Sequence, residues 1–165
     1  MPETTRNARM ERLYCSFWLG DCQFGVPAHL IREVRTTAVL TPIPGAPPAV
    51  CGYVNLRGQL YLVLDPRALW IGRTDGAHPN GHLIVFKEAA GESFAVQTDS
   101  VGDIVAIDDE QISVPTIHRE TGAPAESEPQ CDRLVTGIAR LDDALVTLVD
   151  PSELLSAVFR GNDET

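Results

Sequence analysis

The chain has 165 residues, 44% of them hydrophobic, with 23 acidic against 13 basic side chains and a net charge of −10. That length holds one domain or two small ones, and that charge repels phosphate backbones and anionic headgroups, which disfavours nucleic-acid and membrane-surface roles. Aromatics are only 6% of the chain, so the core is expected to rest on Val, Leu, Ile and Ala.

Residues 1–12 are polar and charged, lack the apolar stretch of a secretory signal and read as a flexible tail. Residues 13–19 alternate as a strand does and carry Tyr14, Phe17 and Trp18; Gly20-Asp21 turns the chain, and 23–26 resume an extended run. Pro42, Pro44, Pro47 and Pro48 make 41–48 a stiff extended crossover with few amide donors. Asn55-Leu56-Arg57-Gly58 precedes the apolar run 61–64 and predicts a hairpin, with Gly58 free to take φ > 0 and Arg57 held out on the tip. Asp65-Pro66, followed by Ala68, Leu69 and Trp70, predicts a short helix start, and 72–81 a linker. Runs at 83–87 and 93–97 flank Ala90-Gly91 as a hairpin, and 102–107 and 145–149 are further strands. The clearest helix spans 151–159. Asp150 is its N-cap, Pro151 takes the first helical position, Glu153 completes a capping-box pattern, and Leu154, Leu155, Val158 and Phe159 form its apolar stripe. Residues 160–165 read as a second tail.

The chain repeats itself. Gly52, Leu56, Leu60, Asp65, Pro66 and Leu69 recur as Gly137, Leu141, Leu145, Asp150, Pro151 and Leu154, all at one constant offset. Earlier in each half, Phe24-Gly-Val recurs as Phe94-Ala-Val at a shorter offset, and 31–34 fall on 101–104 at that same shorter offset. The difference between the two offsets fits an insertion near 116–130, which is polar and rich in Gly, Pro and Glu. Two copies of one all-β unit follow, at about 13–71 and 82–159. Short strands split by Gly, Pro and Asp predict barrels or a sandwich. Units of about 60–75 residues are marginal alone, so they are expected to pack together with a groove between them. Arg57 and Asp142 then stand at equivalent tips with opposite charge.

Signs of chemistry are sparse. Nucleotide-loop and nucleophile-elbow patterns are missing. His78 and His82 have half the spacing of a zinc site but no Cys-x-x-Cys beside them, and Asp108-Asp109-Glu110 lacks a calcium-loop rhythm. No metal or cofactor is expected. Cys15, Cys22, Cys51 and Cys131 are expected to be free and mostly buried thiols in a reducing cytosol.

Residues 41–65, Thr-Pro-Ile-Pro-Gly-Ala-Pro-Pro-Ala-Val-Cys-Gly-Tyr-Val-Asn-Leu-Arg-Gly-Gln-Leu-Tyr-Leu-Val-Leu-Asp, resemble the central signature of CheW-like domains. Leu19-Gly-Asp-Cys-Gln-Phe-Gly-Val-Pro and Ile31-Arg-Glu-Val upstream, with Val101-Gly-Asp-Ile-Val and Gly137-Ile-Ala-Arg-Leu-Asp-Asp downstream, extend the resemblance over about 13–159. It implies two five-stranded, SH3-like barrels in pseudo-symmetric tandem, a hydrophobic groove between them and a short C-terminal helix. It also implies a non-catalytic cytoplasmic adaptor at receptor arrays. Such an adaptor joins the signalling tip of chemoreceptors to the regulatory domain of a CheA-type histidine kinase, a domain that itself resembles CheW. Receptor contacts in the family match Ile31, Gly52 and Arg57, and Glu33 matches a coupling position. On residue chemistry, Ile31, Val34 and Val54 suit either an apolar groove wall or the barrel core, and Asn55 suits the turn. Glu33 is expected on the face opposite Ile31, exposed. The candidate receptor-binding set is therefore Ile31, Glu33, Gly52, Val54, Asn55 and Arg57; no kinase contact is assigned. Pro66-Arg67 departs from the family's usual Leu-Arg. The competing reading, a small-ligand-binding β-barrel sensor, requires a deep interior cavity.

Overall fold

The computed structural model describes residues 11–36, 39–70, 81–90, 92–114 and 134–160. The tail before Glu11, nearly all of the linker, the 116–130 insertion, His78, Cys131 and residues 161–165 lie outside the described residues.

The strands are β1 (Glu11–Leu19), β2 (Cys22–Pro27), β3 (Ile31–Arg35), β4 (Val50–Leu56), β5 (Gln59–Leu64), β6 (His82–Phe86), β7 (Phe94–Thr98), β8 (Ser100–Asp108), β9 (Ile112–Ser113), β10 (Val135–Leu141) and β11 (Ala144–Val149). Helix α1 (Arg67–Trp70) follows β5, and α2 (Pro151–Arg160) follows β11. One sheet has the order β3-β6-β7-β5-β4 and the other β8-β1-β2-β11-β10-β9. The first has the five strands expected; the second adds the short β9 as a sixth.

The sheets do not follow the repeat boundary. β1 and β2 belong to the first repeat yet pair within the sheet of the second, and β6 and β7 make the reciprocal exchange. Connection length is the physical reason. Only Asp99 separates β7 from β8, and only the 3₁₀ turn Ala28–Leu30 separates β2 from β3. Tight antiparallel hairpins most often use a two-residue link in a favourable turn; here the chain runs on into the opposite sheet instead. The exchange keeps the repeat's register. In the parallel pair β5–β7, Leu62 faces Phe94; in β2–β11, Thr147 faces Phe24. Thr147 is the repeat equivalent of Leu62, and Phe94 is that of Phe24, so the two parallel joints are copies of each other.

Each sheet curls until its edges meet. After β3 the chain returns so that Thr41 bridges Tyr53 of β4, and after β8 it returns as β9, with Ser113 facing Ile138 of β10. Tyr53 and Ile138 are repeat equivalents, and both crossings lie beside a bulge: at Val50/Gly52 in one sheet and Val135/Gly137 in the other. Beside this closure, Glu33 on the β3 edge reaches Arg57 at the β4–β5 turn.

The largest apolar cluster lies between the sheets. Phe17 stacks on Phe24 at 5.6 Å, and Phe86 stacks on Phe94 at 5.0 Å. Cys15, Leu19, Val26, Leu64, Ile84 and Val96 pack with them. The core rests on Val, Leu, Ile and Ala, as composition led one to expect, and four phenylalanines are concentrated where the barrels meet. Val54, Leu56, Tyr61, Val63, Leu83, Val85 and Ala95 fill one barrel, and Tyr14, Ile107, Ala139, Val146 and Leu148 the other. Helix α2 closes the central cluster with Leu154 and Val158. Its N-cap is Asp150, whose Oδ1 accepts from the Ser152 amide at 3.0 Å and the Ser152 hydroxyl at 2.7 Å. Glu153 does not complete the predicted box, because the Asp150 amide donates to the Leu134 carbonyl at 2.9 Å instead. A reciprocal box forms at Asp108 and Gln111, in a 3₁₀ turn.

The thiols divide by depth. Cys15 is buried in the central core, Cys51 is half-buried beside Gln97 Oε1 at 3.3 Å, and Cys22 is exposed, against the expectation of burial. Burial, and then the Asp65 carboxylate, push the Cys51 thiol up to about 12, with Arg67 acting in the opposite direction. Burial also raises Cys15. A thiol that keeps its proton when folded but loses it near pH 9 when unfolded contributes stability below that pH. That contribution falls as pH rises from about 9 to about 12. Because the thiolate is the nucleophile, maleimide at pH 8 is expected to label Cys22 in the native protein. Cys15 and Cys51 are expected to label only after unfolding in urea, as read by mass spectrometry of the digested protein.

Candidate partner-binding site

The β4–β5 hairpin is built for a fixed tip. Leu56 faces Gln59 across the two-residue turn Arg57-Gly58, whose φ angles are 55° and 85°. Positive φ at both positions matches the right-handed twist of the strands. Gly58 adopts it freely, and Asn55 Oδ1 holds the turn by accepting from the Gly58 amide at 3.0 Å. Arg57, a non-glycine residue with positive φ, is therefore positioned by its neighbours and projects into solvent.

Glu33 is the electrostatic centre of this corner. Its Oε2 lies 3.3 Å from Arg35 Nε and 3.7 Å from an Arg57 guanidinium nitrogen. The expectation that Glu33 lies exposed does not hold, because Ile31, Glu33 and Arg35 are half-buried while Arg32 and Val34 are exposed. A bulge between Ile31 and Glu33 interrupts the alternation, so Ile31 pairs with Phe86 and Glu33 with Val85, successive residues of β6 that point to opposite faces. Arg32 donates to the Tyr61 hydroxyl at 3.0 Å, a second tie from β3 to β5. The Arg57–Glu33 contact is worth only about 0–1 kcal/mol because Arg57 is exposed. Its guanidinium can therefore turn to a partner's carboxylate or helix-end carbonyl at little cost.

The six candidate residues separate into groups. Glu33, Asn55 and Arg57 share the hairpin corner. Ile31 faces Phe86 and packs against the central cluster. Val54 is buried inside the first barrel, which leaves Val34 as the exposed member of the proposed apolar wall. Gly52 is buried, with φ 145°, and a Cβ there would strike the Thr41 carbonyl. Two features of this hairpin were missed from the sequence: Arg35 as a second cation on Glu33, and the exposed pair Tyr53 and Leu60 on the outer face. Alternation in the apolar run from 60 to 64 already hinted at an outward Leu60.

On the second barrel, Asp142-Asp143 forms the equivalent turn between Leu141 and Ala144, with Asp142 at φ 46°. The two tips match in position and oppose in charge. Among the described residues, no group of three or more His, Cys, Asp or Glu side chains is arranged to hold a metal ion, and no helix is long and apolar enough to cross a membrane.

Comparison with known proteins identifies the architecture. The chain is 27% identical over 146 residues to a probable chemotaxis protein CheW of Rhizobium etli, covering 88% of each. It is 31% identical over 97 residues to the chemotaxis protein CheW of Rhizobium meliloti, covering 59% of this chain and 62% of that one. The crystal structure of the scaffolding protein TtCheW from Thermoanaerobacter tengcongensis superposes with a TM-score of 0.69 at 24% identity, over 85% of this chain and 89% of that one. The CheW-like domain model matches residues 14–159, and the chain belongs to that family.

Proposed function

We propose that this chain is a non-catalytic chemosensory adaptor that binds chemoreceptor signalling tips and the regulatory domain of a CheA-type histidine kinase, in the cytoplasm at receptor arrays. The observation that carries the reading is the hairpin corner. Arg57 stands exposed on a rigid turn, poised by Glu33 and locked by Asn55, which suits partner recognition more than catalysis. The opposite charges at the two equivalent tips suit a scaffold that must engage different partners on its two barrels. The competing sensor reading lacks support, since both barrel interiors are filled by their own side chains.

The test is co-purification with the kinase of the same organism, with Arg57→Glu run beside the wild type in a receptor-tip pull-down. Both forms are expected to retain the kinase. The variant is expected to lose receptor affinity by about tenfold or more, as when a charged contact is reversed. Failure of the wild type to bind the kinase overturns the adaptor reading.

A further inference from the structure

Glu33 Oε2 faces two cations, and they hold it unequally. Arg35 Nε donates a hydrogen bond to it at 3.3 Å. Arg57 meets the same oxygen only as an ion pair at 3.7 Å, too long for a hydrogen bond. Arg35 lies two residues from Glu33 on one face of β3, and its pairing with Leu83 of β6 fixes that place. Its side chain is 33% exposed against 75% for Arg57, so it is the more fixed and less hydrated of the two. Arg32, the third arginine at this corner, is engaged elsewhere: it donates to the Tyr61 hydroxyl, which in turn donates to Gln59 Oε1.

We infer that Arg35 is a positioning residue: by occupying Glu33 Oε2 it keeps Glu33 from capturing Arg57, and so leaves the Arg57 guanidinium available to a partner's carboxylate. This deepens the adaptor reading, on which the choice of partner rests. Without Arg35, the half-buried Glu33 would have Arg57 as its only ion-pair partner among the described residues. That pair would tighten towards a charge-assisted hydrogen bond, which a partner would then have to break. With Arg35 in place, Glu33 stays paired when Arg57 turns away, and no half-buried carboxylate is left without a counter-charge. Glu33 then orients the resting Arg57 without retaining it.

The second barrel carries no such trio. At the shorter repeat offset Glu33 and Arg35 fall on Asp103 and Val105, and at the longer one Arg57 falls on Asp142.

The test is a double-mutant cycle, read by titrating the full chain with a labelled receptor-tip fragment at low ionic strength. Removing Arg35 also makes the corner less positive, but that effect is the same whether or not Glu33 is charged. Release of Arg57 from Glu33 depends on the Glu33 charge. Arg35→Gln is therefore expected to weaken binding about threefold with Glu33 intact, as one exposed ion pair allows, and by less than about 1.3-fold when Glu33→Gln is already present. Nitrogen NMR relaxation of the Arg57 Nε–H group in the free protein is expected to show greater order in Arg35→Gln than in wild type, and less in Glu33→Gln. Thermal melts show that each variant folds. An equal loss of affinity in both Glu33 backgrounds overturns the inference, because Arg35 would then act by direct contact or by charge alone. Unchanged Arg57 order in Arg35→Gln overturns it as well. Wild type that binds neither the receptor tip nor the kinase sinks the adaptor reading, and the Arg57 relaxation still decides the role of Arg35.

Discussion

Replacing Gly52 by Val is expected to destabilise the protein by about 3–5 kcal/mol, at the severe end of single substitutions. Gly52 sits in the bulge of β4 where the returning chain closes the first barrel, and two effects combine there. Its φ of 145° is a conformation that side-chain-bearing residues rarely adopt. The added Cβ would also collide with the Thr41 carbonyl. That carbonyl cannot retreat, because Thr41 and Tyr53 exchange two backbone hydrogen bonds of 2.8 Å. Two other glycines calibrate the effect. Gly137, the repeat equivalent, has no positive φ, and a Cβ there would meet the Ile112 Cγ2 methyl rather than backbone, so Gly137→Ala is expected to cost about 1–3 kcal/mol. Gly20 has φ 60° and open space around it, so Gly20→Ala is expected to cost about 1 kcal/mol. Urea unfolding followed by circular dichroism ranks the three, and a Gly52→Val midpoint no lower than that of Gly20→Ala would disprove the account. Loss of receptor binding on substituting Gly52 would then report a broken barrel closure, not a lost contact.

Local features were legible in the sequence because local chemistry dictates them. The Arg57-Gly58 turn, the strand on each side of it and the Asp150 cap each follow from a few neighbouring residues. Even the parallel joint within each sheet was present in the two offsets of the repeat. What stayed hidden was the exchange of strand pairs, because periodicity says which residues face inward but not which sheet they face. The single-residue connection at Asp99 was the available signal, and it argues against a hairpin only once the strand ends are known. The corner shared by Glu33, Arg35 and Arg57 joins β3 to the turn beyond the next strand, more than twenty residues along the chain, so no local pattern announces it. Low aromatic content pointed to the largely aliphatic core that is found, but composition counts phenylalanines without saying that Phe17, Phe24, Phe86 and Phe94 converge.

Arg67 is the substitution expected to rival Gly52 in effect, and its cause is electrostatic. It stands where the family usually has Leu-Arg after the aspartate, just past Pro66. Its side chain is about 10% exposed and holds two carboxylates: Asp65 Oδ2 at 3.2 Å and Asp99 Oδ1 at 3.5 Å. Asp65 is itself buried and also accepts from the Arg67 amide at 3.0 Å. Asp99 lies at the crossing from β7 to β8, and its other oxygen accepts from the Gly20 amide in the β1–β2 turn. One guanidinium therefore ties the end of β5 in one sheet to the β1–β2 hairpin of the other. The opposite end of the pseudo-twofold has no guanidinium tie, because the equivalent of Arg67 is Ser152, whose amide and hydroxyl donate to the Asp150 carboxylate that caps α2. Arg67→Ala leaves buried Asp65 without its counter-charge, a loss of about 3–5 kcal/mol, or a melting point lower by about 10 °C in a chain of this size. Asp65→Asn with Arg67→Met removes both charges, keeps Oδ1 as the acceptor for the backbone amide and fills the guanidinium stem's space. It is expected to recover more than half of the loss, because the uncompensated carboxylate carries most of the cost. Differential scanning calorimetry of the two variants at pH 7 separates the causes: equal destabilisation would mean that the packing of the long side chain, not its charge, joins the barrels at this end.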